Sequence, residues 1–153
     1  MTEFVTQPER LGPPRELFVS HSDRDREAVA RLSNELSSHR IPHWVSRREL
    51  AGSQQWHDEI GDALARCDWF AVLLSPDAVE SMWVKRELLY ALSQERFLGR
   101  IVPVLLRDCD IDRLSWTLSS IQRVDFRNDW SFGMRELLRI WSIGYRGTEA
   151  VPP

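Results

Sequence analysis

Trp69-Phe70-Ala71-Val72-Leu73-Leu74 is apolar at every position and stops at Ser75-Pro76-Asp77. An unbroken run of this kind is the pattern of a parallel strand covered on both faces, which places it near the centre of a sheet. Past the turn, Val84, Leu88, Ala91 and Leu92 recur at the spacing that points one helical stripe at a core. The rest of the chain repeats this alternation. Leu17-Phe18-Val19 predicts a short strand ending at Ser20-His21-Ser22. Ser22 and Asp25 then form a Ser-x-x-Asp start signal for a helix buried through Ala28, Val29, Leu32 and Leu36. Ile41 to Val45 predicts a second strand, which Pro42 confines to a sheet edge or to the strand's first residues. Ser46 to Ser53 reads as a long charged loop containing Gly52, and Trp56, Ile60, Ala63, Leu64 and Cys67 predict the next helix. Ile101 to Leu106 and Val124 to Phe126 predict a fourth and a fifth strand. Trp130, Met134, Leu137, Leu138 and Trp141 predict a closing helix capped by Asp129. Arg107 to Ser120 is less periodic, with room for a short helix.

Strands alternating with helices imply an α/β fold: a parallel sheet joined by right-handed crossovers, with helices on both faces. Five such strands point to the flavodoxin-like order 2-1-3-4-5. There the connections from the first and third strands diverge, leaving a crevice beyond their carboxyl ends. Ser20, His21, Ser22 and Ser75 fall at those ends, and the Ser46–Ser53 loop and the helix carrying Glu87 border the same crevice. Residues 1–14, with three prolines among polar positions, read as a flexible leader. Residues 15–144 form the domain, and 145–153 a linker or disordered tail.

Composition narrows the chemistry. A chain of 153 residues fits one domain with a sizeable core. A net charge of −3 with interspersed signs offers no basic stripe for nucleic acid. The two cysteines, Cys67 and Cys109, have no Cys-x-x-Cys partner, so neither a zinc site nor a disulfide framework is indicated and a reducing, cytoplasmic compartment fits. No membrane-spanning stretch occurs. A phospho-acceptor receiver would need acidic residues where Ser20, His21 and Ser75 stand. A flavin or dinucleotide site of the usual kind would need a Gly-rich turn, and no glycine lies between Gly12 and Gly52. The histidines lack metal-ligand spacing; His39 and His57 read as solvated helix residues, and His21 alone sits at the crevice. Glu87 stacks one helical turn from Trp83, and its neighbours at three and four positions are Trp83, Val84, Tyr90 and Ala91, none of them basic.

Phe18-Val19-Ser20-His21-Ser22, Gly52, Val72-Leu73-Leu74-Ser75 and Ser81-Met82-Trp83-Val84-Lys85-Arg86-Glu87-Leu88, in this order and spacing, resemble a TIR domain of the Toll/interleukin-1 receptor and resistance-protein family, bacterial type. The resemblance implies an NAD+ nucleosidase, a glycohydrolase or ADP-ribose cyclase, acting in bacterial immune, anti-phage or signalling defence. Glu87 then takes the catalytic position and Trp83 its aromatic companion. Ser20, His21, Ser22, Arg47, Arg48, Gly52 and Ser75 surround the substrate, with NAD+ as substrate, no separate cofactor and no metal. Other TIR domains, in a homo-oligomer or filament, and a fused or associated sensor domain are the implied partners. Ser46 stands where many members carry an acidic residue, which bears on substrate contacts by the loop. Each residue also has a plainer reading. Glu87 is a solvated helix residue, Trp83 core packing, and Arg47 and Arg48, whose functional reading is contact with the pyrophosphate or a second subunit, are solvated loop charges. Ser20 and Ser75 are helix caps, and His21 closes a turn. The rival function is a non-catalytic adaptor that pairs TIR with TIR.

Overall fold

The computed structural model describes residues 12–46 and 54–147. Five parallel strands, β1 (Leu17–Ser20), β2 (His43–Val45), β3 (Trp69–Leu74), β4 (Ile101–Leu105) and β5 (Val124–Asp125), form one sheet in the order β2-β1-β3-β4-β5. The helices are α1 (Arg26–Ser38), α2 (Gln54–Arg66), α3 (Pro76–Val79), α4 (Met82–Leu92), α5 (Ile111–Leu114) and α6 (Trp130–Ile140), with short 3-10 turns between them. The apolar run of β3 is buried at every position, as a central strand covered on both faces must be. β2 is an edge strand that starts one residue after Pro42, so the proline removes no ladder hydrogen bond.

Two apolar clusters sandwich the sheet. Val29, Leu32 and Leu36 of α1 and Met134, Leu137 and Leu138 of α6 pack on one face with Leu17, Val19, Trp69, Ala71 and Leu73. Ile60, Ala63 and Leu64 of α2 with Val84, Leu88 and Ala91 of α4 pack on the other, over Phe18, Phe70, Val72 and Leu74. Trp69 and Trp141 meet edge to face at 5.6 Å on the first face, and Phe18 stacks on Phe70 at 5.3 Å on the second.

Several expectations need correction. Ser75-Pro76-Asp77 is the start of α3: the Ser75 hydroxyl accepts from Ala78 N–H, and proline at the first helical position lacks only a hydrogen that would go unused. Arg107 to Ser120 does hold the short helix it had room for, α5, and adds a 3-10 turn at Trp116–Ser120. The Ser22-x-x-Asp25 signal caps a 3-10 turn at Asp23–Asp25 through Ser22, but the Asp25 side chain makes no cap hydrogen bond and turns inward. His39 is buried, 7% exposed, because the segment after α6 folds back over it, whereas His57 is exposed. Arg47, Arg48, Gly52, most of the 1–14 leader and residues 148–153 lie outside the described residues, as does the Trp56 side chain. Among the described residues no helix is long and apolar enough to cross a membrane.

Gly133 faces the Phe126 ring from α6, and a Cβ there would lie 2.5 Å from the nearest ring carbon. Gly133→Ala gains helix propensity worth about 1 kcal/mol, yet must displace a buried ring, which typically costs about 1–3 kcal/mol. We therefore expect a net loss of stability, read from the denaturant midpoint. Burial pushes the Cys67 thiol up to about 12. At pH 8 iodoacetamide should leave Cys67 unmodified in the native protein and alkylate it once denaturant unfolds the chain, followed by peptide mass mapping.

Candidate functional site

The pleat of the sheet decides where each candidate side chain points. In β1, Phe18 packs among α2 and α4, and two positions on Ser20 faces the same way. Ser20 is fully buried there, and its hydroxyl donates to Glu87 Oε1 at 2.6 Å. Glu87 sits between Val84 and Leu88 on the inward stripe of α4, with 3% of its surface exposed. That helix starts at Ser81, whose hydroxyl accepts from Val84 N–H and fixes the turn that sends Glu87 inward.

In β3 the alternation runs the other way. Trp69, Ala71 and Leu73 face α1 and α6, and Ser75, in extended backbone two positions after Leu73, follows them. Its hydroxyl donates to Asp25 Oδ2 at 2.5 Å. Arg107, just beyond β4, donates through Nη2 to Asp25 Oδ1 at 2.7 Å and to Asp77 Oδ2 at 3.3 Å. Ser20 is level with Val72 in the sheet register, so Ser75 lies three residues farther along, roughly 10 Å. Ser20 and Ser75 therefore do not share one pocket. Each anchors a different buried carboxylate, Glu87 on one face and Asp25 on the other.

His21, also buried, holds Nδ1 2.8 Å from the Ser22 carbonyl and Nε2 3.1 Å from the Ser46 carbonyl. It ties the end of β1 to the end of β2, shortly before Arg47, Arg48 and Gly52 in the sequence. Ser22 accepts from Arg24 N–H. Trp83 is half-buried against the α4 core, with the Arg86 guanidinium 5.1 Å from its ring centre. Ser20, His21 and Glu87 thus stand at the β1 end, Ser22 starts the following turn, and Ser75 belongs to the neighbouring cluster.

Asp25 and Arg107 escaped the sequence reading. Asp25 looked like half of a capping box, and that signal hid its partner in space. Arg107 had a visible signal, a charged residue directly after a buried strand at the carboxyl edge where ligands gather. A groove of about 480 Å³ opens beside this pair, lined in part by Arg24, Arg26, Arg107, Phe126 and Trp130. A second, of about 510 Å³, lies by β5 among Ser119, Arg123, Asp125 and Arg127. Neither is lined by Glu87, so these two grooves and the buried carboxylate at β1 are separate features. Among the described residues no cluster of His, Cys, Asp or Glu is placed to hold a metal ion.

Chemically, Glu87 offers one desolvated carboxylate held in position by a hydroxyl. Asp25 is engaged by a guanidinium and a serine, which makes it a strut between β1, β3 and β4. The site is therefore suited to stabilising positive charge with a single carboxylate.

The solved structure of the TIR domain of the Toll-related receptor TRR-2 from Hydra magnipapillata is similar to this chain, with TM-score 0.66 and 23% identity over 80% of this chain and 94% of that one. The TIR domains of the activated Roq1 resistosome, which directly recognises the pathogen effector XopQ, match with TM-score 0.63 and 20% identity over 81% and 97%. A prokaryotic SEFIR domain matches with TM-score 0.59 and 15% identity over 90% and 97%. No curated protein matches the chain. The family description "TIR domain" matches residues 17–138, most of the chain and all five strands, so this protein belongs to the TIR domain family.

Proposed function

We propose that this TIR domain is an NAD+ nucleosidase in which Glu87 stabilises the ribosyl cation formed as nicotinamide leaves. The observation that carries this reading is the buried Glu87 carboxylate, fixed by the Ser20 hydroxyl beyond the carboxyl end of β1. The glycosidic bond of NAD+ breaks with its electron pair passing to the pyridinium nitrogen, so nicotinamide departs as a neutral molecule. No general acid is needed, unlike in glycosidases that work with two carboxylates. The positive charge left on the ribose is what needs stabilising. A fixed carboxylate in a low-dielectric pocket does so with little reorganisation. Water adding at C1′ and losing a proton gives ADP-ribose; an internal nucleophile of the substrate gives a cyclised product.

With so little of Glu87 exposed, a ribose meets it only after its cover moves aside. This suits an enzyme that is quiet as a single domain and switched on by assembly, and it fits a defence effector in which a partner sensor controls activity. Met82 and Leu89 on the outer side of α4 are exposed apolar residues and supply contact surface for another copy. The same surface supports the second reading, an adaptor that works through TIR–TIR contact alone. His21 and Trp83 border the proposed pocket as substrate contacts, and Arg47, Arg48 and Gly52, which follow Ser46 in the sequence, complete the proposed set.

Glu87→Gln keeps size and hydrogen-bonding capacity and removes the charge. Loss of one such stabiliser costs about 3–4 kcal/mol of transition-state binding, roughly a hundred- to thousand-fold in rate. Product formation from NAD+ by the assembled variant should fall by that factor while its melting temperature stays near that of the unmutated protein; near-normal turnover would refute the role of Glu87. Turnover per molecule should also rise with protein concentration or crowding. A specific activity constant across dilution, carried by a monodisperse monomer, would remove assembly from the account.

A further inference from the structure

The chain leaves α6 through a reversal and returns across α1, at the edge of the sheet away from Glu87. Ser142 takes the left-handed conformation (φ 59°), and Ile143 N–H donates back to the Leu138 carbonyl at 2.9 Å, closing the helix end. Ile143 and Tyr145 then pack against the α1–α6 core. This short strap ends on His39, the residue that terminates α1.

The contacts fix the protonation of His39. The Glu35 carbonyl lies 2.8 Å from Nδ1, and a carbonyl only accepts, so Nδ1 carries a hydrogen. Arg146 N–H donates to Nε2 at 3.0 Å, and only a nitrogen without a hydrogen accepts. The docked strap therefore requires a neutral imidazole of one tautomer. Tyr145 stacks on that ring, with centres 5.5 Å apart and planes 20° apart, and its hydroxyl donates to Glu35 Oε2 at 3.1 Å. Arg146 Nη2 also reaches the Ser38 carbonyl at 3.2 Å.

We propose that His39 is a proton-controlled latch for the strap Ile143–Arg146, closed while its imidazole is neutral and released when Nε2 takes a proton. A protonated Nε2 turns a donor toward the Arg146 donor, so the docked state excludes a proton that the open state accepts, and docking weakens as pH falls. Histidine changes charge in the pH 5–8 range where this can happen. The charged and titratable groups around the latch act in both directions. Glu35 on α1 favours a cation: its Oε2 is taken by Tyr145 and by Trp130 Nε1 of α6 at 3.2 Å, while its buried Oε1 accepts no hydrogen bond from the described residues. The Arg146 guanidinium and neighbouring Arg40 oppose one. His43 of β2 is held by the Ser33 hydroxyl at 2.6 Å and the Ile41 carbonyl at 2.8 Å. Release would expose Glu35 and His39 and free the direction in which the chain continues beyond Gly147. It involves none of the residues assigned to NAD+ cleavage.

Hydrogen exchange at the Arg146 amide, corrected for intrinsic rate, tests the latch on the full chain. Between pH 7.5 and pH 5.5 protection should fall about three- to tenfold, the net worth of a hydrogen bond. His39→Gln offers a non-titrating acceptor near the position of Nε2 and should keep similar protection at both pH values. Equal protection at the two pH values in the unmutated protein, or an unchanged pH dependence in His39→Gln, would overturn the proposal. Should the variant fail to dock at all, the imidazole nitrogen spectrum of the unmutated protein at pH 7.5 decides. A hydrogen on Nδ1 and none on Nε2 supports the latch, and the opposite tautomer or a charged ring overturns it.

Discussion

The site depends on the two-residue alternation of β-strand side chains, read at the carboxyl edge of β1 and β3. Because β1 ends on the α2–α4 face and β3 runs on to a residue on the α1–α6 face, two buried serines on adjacent strands serve opposite sides of the sheet. Ser20 receives a carboxylate from α4, and Ser75 receives one from the turn before α1. A one-residue slip in either strand would send its serine to the wrong face and leave a buried carboxylate without its donor. The strand register, set by uninterrupted apolar packing, thereby also positions the polar groups.

The two carboxylates have different surroundings. Asp25 is bridged to Arg107 and Ser75, so it joins three strand ends and is committed to holding them. Such a pair owes its value to mutual satisfaction: breaking it strands a buried polar group, while keeping it adds little beyond the alternative of apolar packing. Glu87 sits in the wall of the α4 core beside Ser20, where low dielectric amplifies the influence of its charge on anything brought near. Under the proposed function one carboxylate serves architecture and the other chemistry, although both lie just past the end of a strand.

Much of this was legible in the sequence because it is written in periodicity. The apolar run at Trp69–Leu74, the proline at the edge of β2 and the stripes of α1, α4 and α6 each follow from local pattern, and the strand order followed from their alternation. Glu87 was singled out through its place in a family motif and its lack of a basic helical neighbour, whereas its Ser20 partner, 67 residues away in sequence, is a consequence of tertiary register. Asp25 was misread for a definite reason: Ser-x-x-Asp is a local capping signal, and here Ser22 keeps the local role while Asp25 is recruited by Ser75 and Arg107. His39 was read as solvated because nothing along α1 announces that a segment about a hundred residues later returns to cover it; Arg146 donates to it across 107 positions.

The division of labour between the two carboxylates can be measured directly by following nicotinamide release from NAD+ and thermal unfolding in parallel for Glu87→Ala and Asp25→Ala. The account predicts that Glu87→Ala loses turnover even well below its own melting range, where the domain is folded although the Ser20 hydroxyl has lost its acceptor. Asp25→Ala, by contrast, loses about 1–3 kcal/mol of stability as Ser75 and Arg107 lose their acceptor, and still releases nicotinamide below its melting range. Full turnover in Glu87→Ala, or loss of turnover in a well-folded Asp25→Ala with no loss of stability, would contradict it.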